Sequence, residues 1–246
     1  MSKDNLDQNL GPVMFNFSPS LLNNYLWVKK YYNTDKKEEY LKQHRDMLEG
    51  IFVSNYYMET GKLFEDLVYA KKAHNEVYEQ IKREDGYIYQ RWFNRQLKIT
   101  DDIYAYFSGK FDAVNLDTGV IKDLKRTTPR EDHFRKQNYS DTDTVQHLIY
   151  MYVLPKSKSF EYVICEAETT ENVVESATRP VDIHIIKHEK PTEKELEEKL
   201  RSLVLEYLHF LIENGLDEIF MSKKISKVKI KKENLWRKTK EETRLD

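Results

Sequence analysis

Apolar positions recur at helical spacing in four places along the chain. Leu21, Leu22, Tyr25 and Leu26 line one face behind Ser18-Pro19, a pairing suited to an N-cap followed by the first helical residue. The charged, Tyr-rich stretch 29–45 continues in helical style. Leu63, Phe64, Leu67 and Val68 predict a helix opening near 58–61 and running on, more polar, to 83. Val145, Leu148, Ile149 and Tyr152 predict another over 143–154. The longest spans 192–214, with Leu196, Leu200, Leu203, Val204, Tyr207, Leu208 and Leu211 inward, Thr192 and Glu195 as a capping box and Gly215 as the stop. Between these helices the period changes. Segments 90–99, 103–114, 120–127, 160–166 and 181–188 are rich in aromatic and β-branched residues and read as strands. The turn signal at 115–119 joins two of them into an antiparallel meander of two to three strands.

Helices, a meander, a helix, two strands and a helix describe an α/β domain with a mixed central sheet flanked by helices. The 246 residues suffice for one such domain. It is expected over residues 15–221, after a polar lead (1–14) and before a tail (222–246). From Ser222 to Lys240 that tail holds nine Lys or Arg against one Glu, a solvated run or a face for a nucleic-acid backbone. The net charge is −2, so nucleic-acid contacts would rest on local patches. A lone cysteine, Cys165, excludes a disulfide framework and a four-cysteine cluster, and it suits a reducing cytoplasm. No apolar run is long enough to span a bilayer and no signal peptide is evident.

The meander carries the candidate chemistry. With 116–119 as a four-residue loop, Asn115 pairs with Val120 and Asp112 falls opposite Asp123, where cross-strand Cβ atoms lie about 5 Å apart. Two such carboxylates repel unless a cation or a proton lies between them, and a hard divalent ion suits both. The Leu124 carbonyl could add a further oxygen. Lys125 shares the face of Asp123, while Ile121 and Leu124 are expected to point away into a core. An ammonium beside a metal-bound water is a phosphodiester hydrolase arrangement. The same spacing also fits a solvated hairpin face with an ion pair.

Four stretches together resemble the PD-(D/E)XK nucleases, specifically the RecB-like and lambda-exonuclease-like branch. They are Phe17-Ser18-Pro19-Ser20, Gly61-Lys62-Leu63-Phe64-Glu65, Gly109-Lys110-Phe111-Asp112 with Asp123-Leu124-Lys125, and Gln146-His147-Leu148-Ile149-Tyr150. The resemblance runs over residues 15–155 and implies a restriction-endonuclease-like core. It implies a nuclease, most simply an exonuclease acting on DNA, with Mg²⁺ or Mn²⁺ held by Glu65, Asp112, Asp123 and the Leu124 backbone. It makes Lys125 the catalytic lysine and sets Gln146 and Tyr150 beside the DNA strand. The basic residues Arg126 and Arg130 just past the motif could touch phosphates. The cysteines of the branch's iron–sulfur members are missing, so no such cluster is expected. Glu65 stands where many members have His, and the interval between Asp112 and Asp123 is short for the branch.

By the same resemblance, a phage recombination role with a single-strand annealing partner is implied. Self-association through the 192–214 helix is left open, and so is a catalytically inactive DNA- or protein-binding module of the same fold. His184 and His188, four apart on a strand, lie about 13 Å apart, too far to share a metal. No phosphate-binding Gly-rich loop is present.

Overall fold

The computed structural model describes residues 13–51, 54–69, 86–127, 139, 143–168, 170–178 and 180–223. Within them the order is β1 (Val13–Phe17), α1 (Pro19–Tyr31), α2 (Lys37–Glu49), α3 (Tyr56–Tyr69), β2 (Tyr87–Lys98), β3 (Ile103–Asn115), β4 (Val120–Thr127), α4 (Gln146–Val153), β5 (Ser159–Ala167), α5 (Val173–Thr178), β6 (Pro180–Glu189), α6 (Glu193–Glu213) and α7 (Asp217–Met221). Arg130, the continuation of α3 to residue 83 and nearly all of the basic tail lie outside the described residues. β1 begins at Val13, inside the stretch read as a polar lead.

Local chemistry sets several of these ends. Ser18 Oγ accepts the Leu21 amide at 3.2 Å and Pro19 opens α1. The single helix expected over 29–45 is two. Thr34 Oγ1 bonds back to the Tyr31 carbonyl (2.8 Å) and takes the Lys36 amide (3.2 Å), offering the backbone a turn in place of a continued helix. Gly50, at φ 79°, closes α2 in the left-handed region. Thr192 and Glu195 form the expected capping box, and Gly215 follows α6 at φ 63°.

The six strands form one mixed sheet in the order β1-β3-β4-β5-β6, with β2 also on β3. β2 lies antiparallel along β3 from Tyr104 to Asn115, so it occupies one whole edge of that strand. β1 and β4 must therefore share the other edge. β1 runs parallel beside residues 103–107, and β4 runs antiparallel beside residues 113–115 only. Between them, residues 108–112 of β3 have no strand partner on that edge among the described residues. β1 ends at this notch, and β4 parts from β3 there while continuing beside β5 to Thr127. β4 then pairs with β5 in parallel through a crossover that contains α4, and β6 closes the sheet antiparallel to β5.

Helices cover both faces. On one side α1, α4 and α6 enclose a large aromatic core that includes Phe15, Phe17, Tyr25, Phe107, Phe111, Tyr152, Phe160 and Tyr207. On the other, α3 and α5 cover a small cluster of Phe64, Val68, Leu124, Cys165 and Ala177. Ile121 joins the large core and Leu124 the small one, so they do not point away together. Strand alternation requires this: Ile121 is two residues from Asp123 and shares its face, whereas Leu124 does not. No described helix is long and apolar enough to cross a membrane.

Candidate active site

The β3–β4 hairpin has the register read from its turn, Asn115 opposite Val120, Val114 opposite Ile121 and Ala113 opposite Lys122. The ladder stops one step before Asp112 and Asp123 would pair. Here the Asp112 carboxylate takes over: Oδ2 accepts the Leu124 amide at 2.8 Å. Leu124 thus serves the site through its N–H. Asp112 Oδ1 accepts from Gln90 Nε2 at 3.2 Å. Gln90 has φ 55°, the one non-glycine with positive φ among the described residues, and it interrupts the β2–β3 pairing opposite Asp112. The parity of core-facing positions changes here on both strands. Phe93 and Phe111 face the large core before this point, Ile88 and Val114 after it.

Asp123 is 2% exposed and its two oxygens are treated differently. Oδ1 accepts from Gln146 Nε2 at 2.6 Å, from the first turn of α4. Lys125 Nζ lies 2.6 Å from Oδ2 and forms an ion pair with that buried oxygen. Burial alone would pull the Lys125 ammonium down, but Asp123 and Asp112 outweigh it and hold the group protonated. Burial pushes the Asp112 carboxyl well above the usual carboxylate range, reinforced by Asp123 and Glu65 and opposed by Lys125 and the Leu124 amide. Burial likewise raises Glu65, with Asp123 and Asp66 adding to it and Lys125 and Lys110 opposing.

The structure thus brings Asp112, Asp123, Lys125 and Gln146 together and keeps Glu65 within their field. α3, which carries Glu65, packs on the Leu124 side of β4 and brings Glu65 close enough for Lys125 and Asp123 to act on its carboxyl. Among the described residues, no three His, Cys, Asp or Glu side chains close around one point as a metal cage. The donors are nonetheless of the right kind for a hard cation. They are carboxylate oxygens of Asp112 and Asp123 held close together in a buried site.

A cleft of about 610 Å³ opens over the notch. Asn16 and Ser18 at the end of β1, Ser108 to Lys110 on β3, and Thr144 and Gln146 at the start of α4 border it, with Trp27 and Trp92 at its rim and Lys125 within. The first turns of α1 and α4 both border this space, and the positive end of each helix dipole favours anions there. Tyr150 lines the cleft as a wall. It is buried, stacks on Phe111 with centroids 4.4 Å apart, and donates to the Lys110 carbonyl at 3.0 Å. A Cβ at Gly109 would lie 2.3 Å from the Tyr150 ring, so only glycine admits that ring against β3. Tyr139 packs on Tyr162 beside Lys125, and burial pushes its hydroxyl up to about 12.

Arg126 is turned away from the cleft. It donates to the carbonyls of Ala167, Glu168 and Ser176 and ties β4 to the far end of β5 and to α5. A residue adjacent to Lys125 on a strand must face the other way, so it cannot reach a phosphate bound at the notch. His184 lies beside Glu166 and Asp182, while His188 stacks on His147 at 4.1 Å, and the two share no site. Cys165 is buried, which pushes its thiol up to about 12. Sequence reasoning missed Gln90. Nothing in Tyr87-Ile88-Tyr89-Gln90 announces a left-handed residue, and its role depends on the strand opposite.

No family model matches this chain, and no relative was found among curated proteins. Among solved structures, the chain is similar to SSO0001 (11% identity, TM-score 0.44, covering 77% of this chain and 75% of that one). It is also similar to LHK-Exo, solved in complex with dAMP (13% identity, TM-score 0.39, 80% and 92% covered). A third similar structure is that of a protein from Eubacterium rectale that carries an exonuclease designation (20% identity, TM-score 0.34, 78% and 68% covered).

Proposed function

We propose that this chain is a metal-dependent DNA nuclease that hydrolyses phosphodiester bonds at the notch, most simply as an exonuclease. The observation that carries the reading is the meeting of Asp112, Asp123 and Lys125 where β3 and β4 part, under a cleft bordered by two helix N-termini. Asp112 and Asp123 would hold Mg²⁺ or Mn²⁺, with Glu65 supplying a further carboxylate from α3. When bound, such an ion polarises the phosphoryl oxygen and lowers the pKa of a coordinated water. Lys125, kept charged by its neighbours, places an ammonium where negative charge grows on the phosphate. Gln146 fixes the rotamer of Asp123, and the Leu124 amide and Gln90 fix that of Asp112. The N-terminal turns of α1 and α4 steady the backbone of the strand being cut.

The test incubates end-labelled linear and circular DNA with Mg²⁺, Mn²⁺ or EDTA. The wild type should cut linear DNA with metal and not in EDTA. Asp123→Ala and Lys125→Ala should each lose about 100-fold or more in rate, the scale of losing a group that stabilises transition-state charge. Equal product from wild type and both variants removes the site. One observation favours a non-catalytic DNA-binding reading: Lys125 is ion-paired with Asp123. Mn²⁺ binding with no cleavage of either DNA would select that reading.

A further inference from the structure

Among the described residues, the face of the sheet opposite the large core is covered only in part. α3 and α5 pack over β4 and β5, through Phe64, Val68 and Ala177. The ribbon of β2 and β3 extends beyond them. Its odd-numbered positions Phe93, Leu97, Phe107 and Phe111 fill the large core. The even-numbered positions therefore point the other way. Cross-strand partners share a face, so Trp92 stands beside Lys110 and Asn94 beside Ser108. Trp92 is 69% exposed, the most exposed large hydrophobic side chain among the described residues, and Asn94 and Lys110 are exposed beside it. This row ends where the β2–β3 pairing is interrupted at Gln90 and Asp112, and Trp92, Ser108 and Lys110 border the cleft.

An indole that exposed costs solvation free energy unless it meets a partner. Its neighbours are amides, a hydroxyl and an ammonium, which do not make the contiguous apolar patch of a protein interface. One flat ring set among hydrogen-bonding groups with a cation alongside matches a nucleobase and its phosphate. A stacked base must offer its π-face, so the partner is an unpaired strand.

We propose that this open face of β2 and β3, centred on Trp92, is a stacking platform for an unpaired DNA strand on its way to the notch. The proposal rests on the nuclease reading for the strand's destination, and its test is read separately. Anisotropy of a fluorescein-labelled oligothymidylate is followed in EDTA, so that no cleavage contributes. The full-length wild type should bind it. Trp92→Ala should weaken binding by about tenfold to a hundredfold, the scale of losing one base–aromatic stack, and Trp92→Phe should recover most of it. Ile185→Ala, which trims another exposed apolar side chain on β6, should leave affinity unchanged. Unchanged affinity in Trp92→Ala, no binding by the wild type, or an equal loss for a duplex of the same length each overturns the platform. So does sedimentation showing that Trp92 mediates self-association. Loss of hydrolysis in Asp123→Ala with intact oligothymidylate binding leaves the platform standing, and failure of the nuclease reading alone does not touch this result.

Discussion

The imidazole of His44 and the carboxylates of Asp112 and Asp123 are all sealed from water, yet their surroundings differ in kind. His44 is fully buried between α1, α2 and α6. With its proton on Nδ1 it donates to Asn24 Oδ1 at 2.6 Å and accepts from the Tyr207 hydroxyl at 3.0 Å. Its edges pack against the Tyr207 and Phe210 rings. Both ring nitrogens have a partner within the cluster, and burial keeps the group neutral. At the notch, two carboxyl groups lie together against one ammonium, and a non-glycine backbone holds a left-handed turn. The first arrangement lowers the energy of the fold, whereas the second spends some of it. A buried polar group with unmet capacity is where a ligand can be accommodated; a buried polar group with none is architecture.

The two regions should answer acid with opposite sign, which gives the largest effect. Burial pulls His44 down to about 4. As pH falls below about 6.5 the unfolded chain takes up this proton first, so the stability His44 contributes is lost down to about pH 4, about 3 kcal/mol in all. Asp112 and Glu65 are raised in the folded state, so folding binds their protons early and the notch gains stability as pH falls toward the ordinary carboxylate range. Urea unfolding between pH 7 and 4.5 checks both. His44→Gln, which keeps the hydrogen bonds but not the titration, should flatten the acid loss, and Asp112→Asn should steepen it. A wild-type slope in His44→Gln ends the contrast.

A smaller effect tests how tightly the notch wall is packed. Gly109→Ala should cost about 1–3 kcal/mol through the clash with Tyr150. In a Tyr150→Ala background the same change should cost almost nothing, a coupling that a double-mutant cycle measures. Additive costs would mean that the ring does not depend on the glycine.

The smallest effect separates strain from service at Gln90. Gln90→Gly relieves the positive φ and should raise stability by about 1 kcal/mol. It also removes a donor to Asp112, and the Mn²⁺ concentration needed for half of the metal-induced rise in melting temperature should increase about tenfold. A Gln90→Gly variant that is both more stable and unchanged toward Mn²⁺ would make the residue a fault in the sheet and nothing more.

Much of this organisation was legible because it is local. Ser18-Pro19 and Thr192 with Glu195 cap the helices they were expected to cap, and the turn at 115–119 set the hairpin register that carries Asp112 toward Asp123. The mixed α/β class followed from the switch in period. The inward direction of Ile121 and the outward direction of Arg126 were also available from strand alternation, and the structure corrects both expectations on that ground. What could not be read is what depends on distant partners. The break at Thr34 turns on one hydroxyl choosing between two backbone geometries. Gln90 matters only because Asp112 lies across from it. That α3, with Glu65 on it, packs against Leu124 is a choice no spacing within α3 reveals.

The notch also orders events during folding. Val13 pairs with Ile103, ninety residues later, whereas Asn115 meets Val120 across a single turn. Short loops close early and long ones late. The acidic hairpin is thus within quick reach of itself, while the wall supplied by β1 and the start of α1 arrives only after most of the domain exists to receive it. A chain caught part-way would carry its charged hairpin without the groove above it, and competence would be the last property that maturation confers.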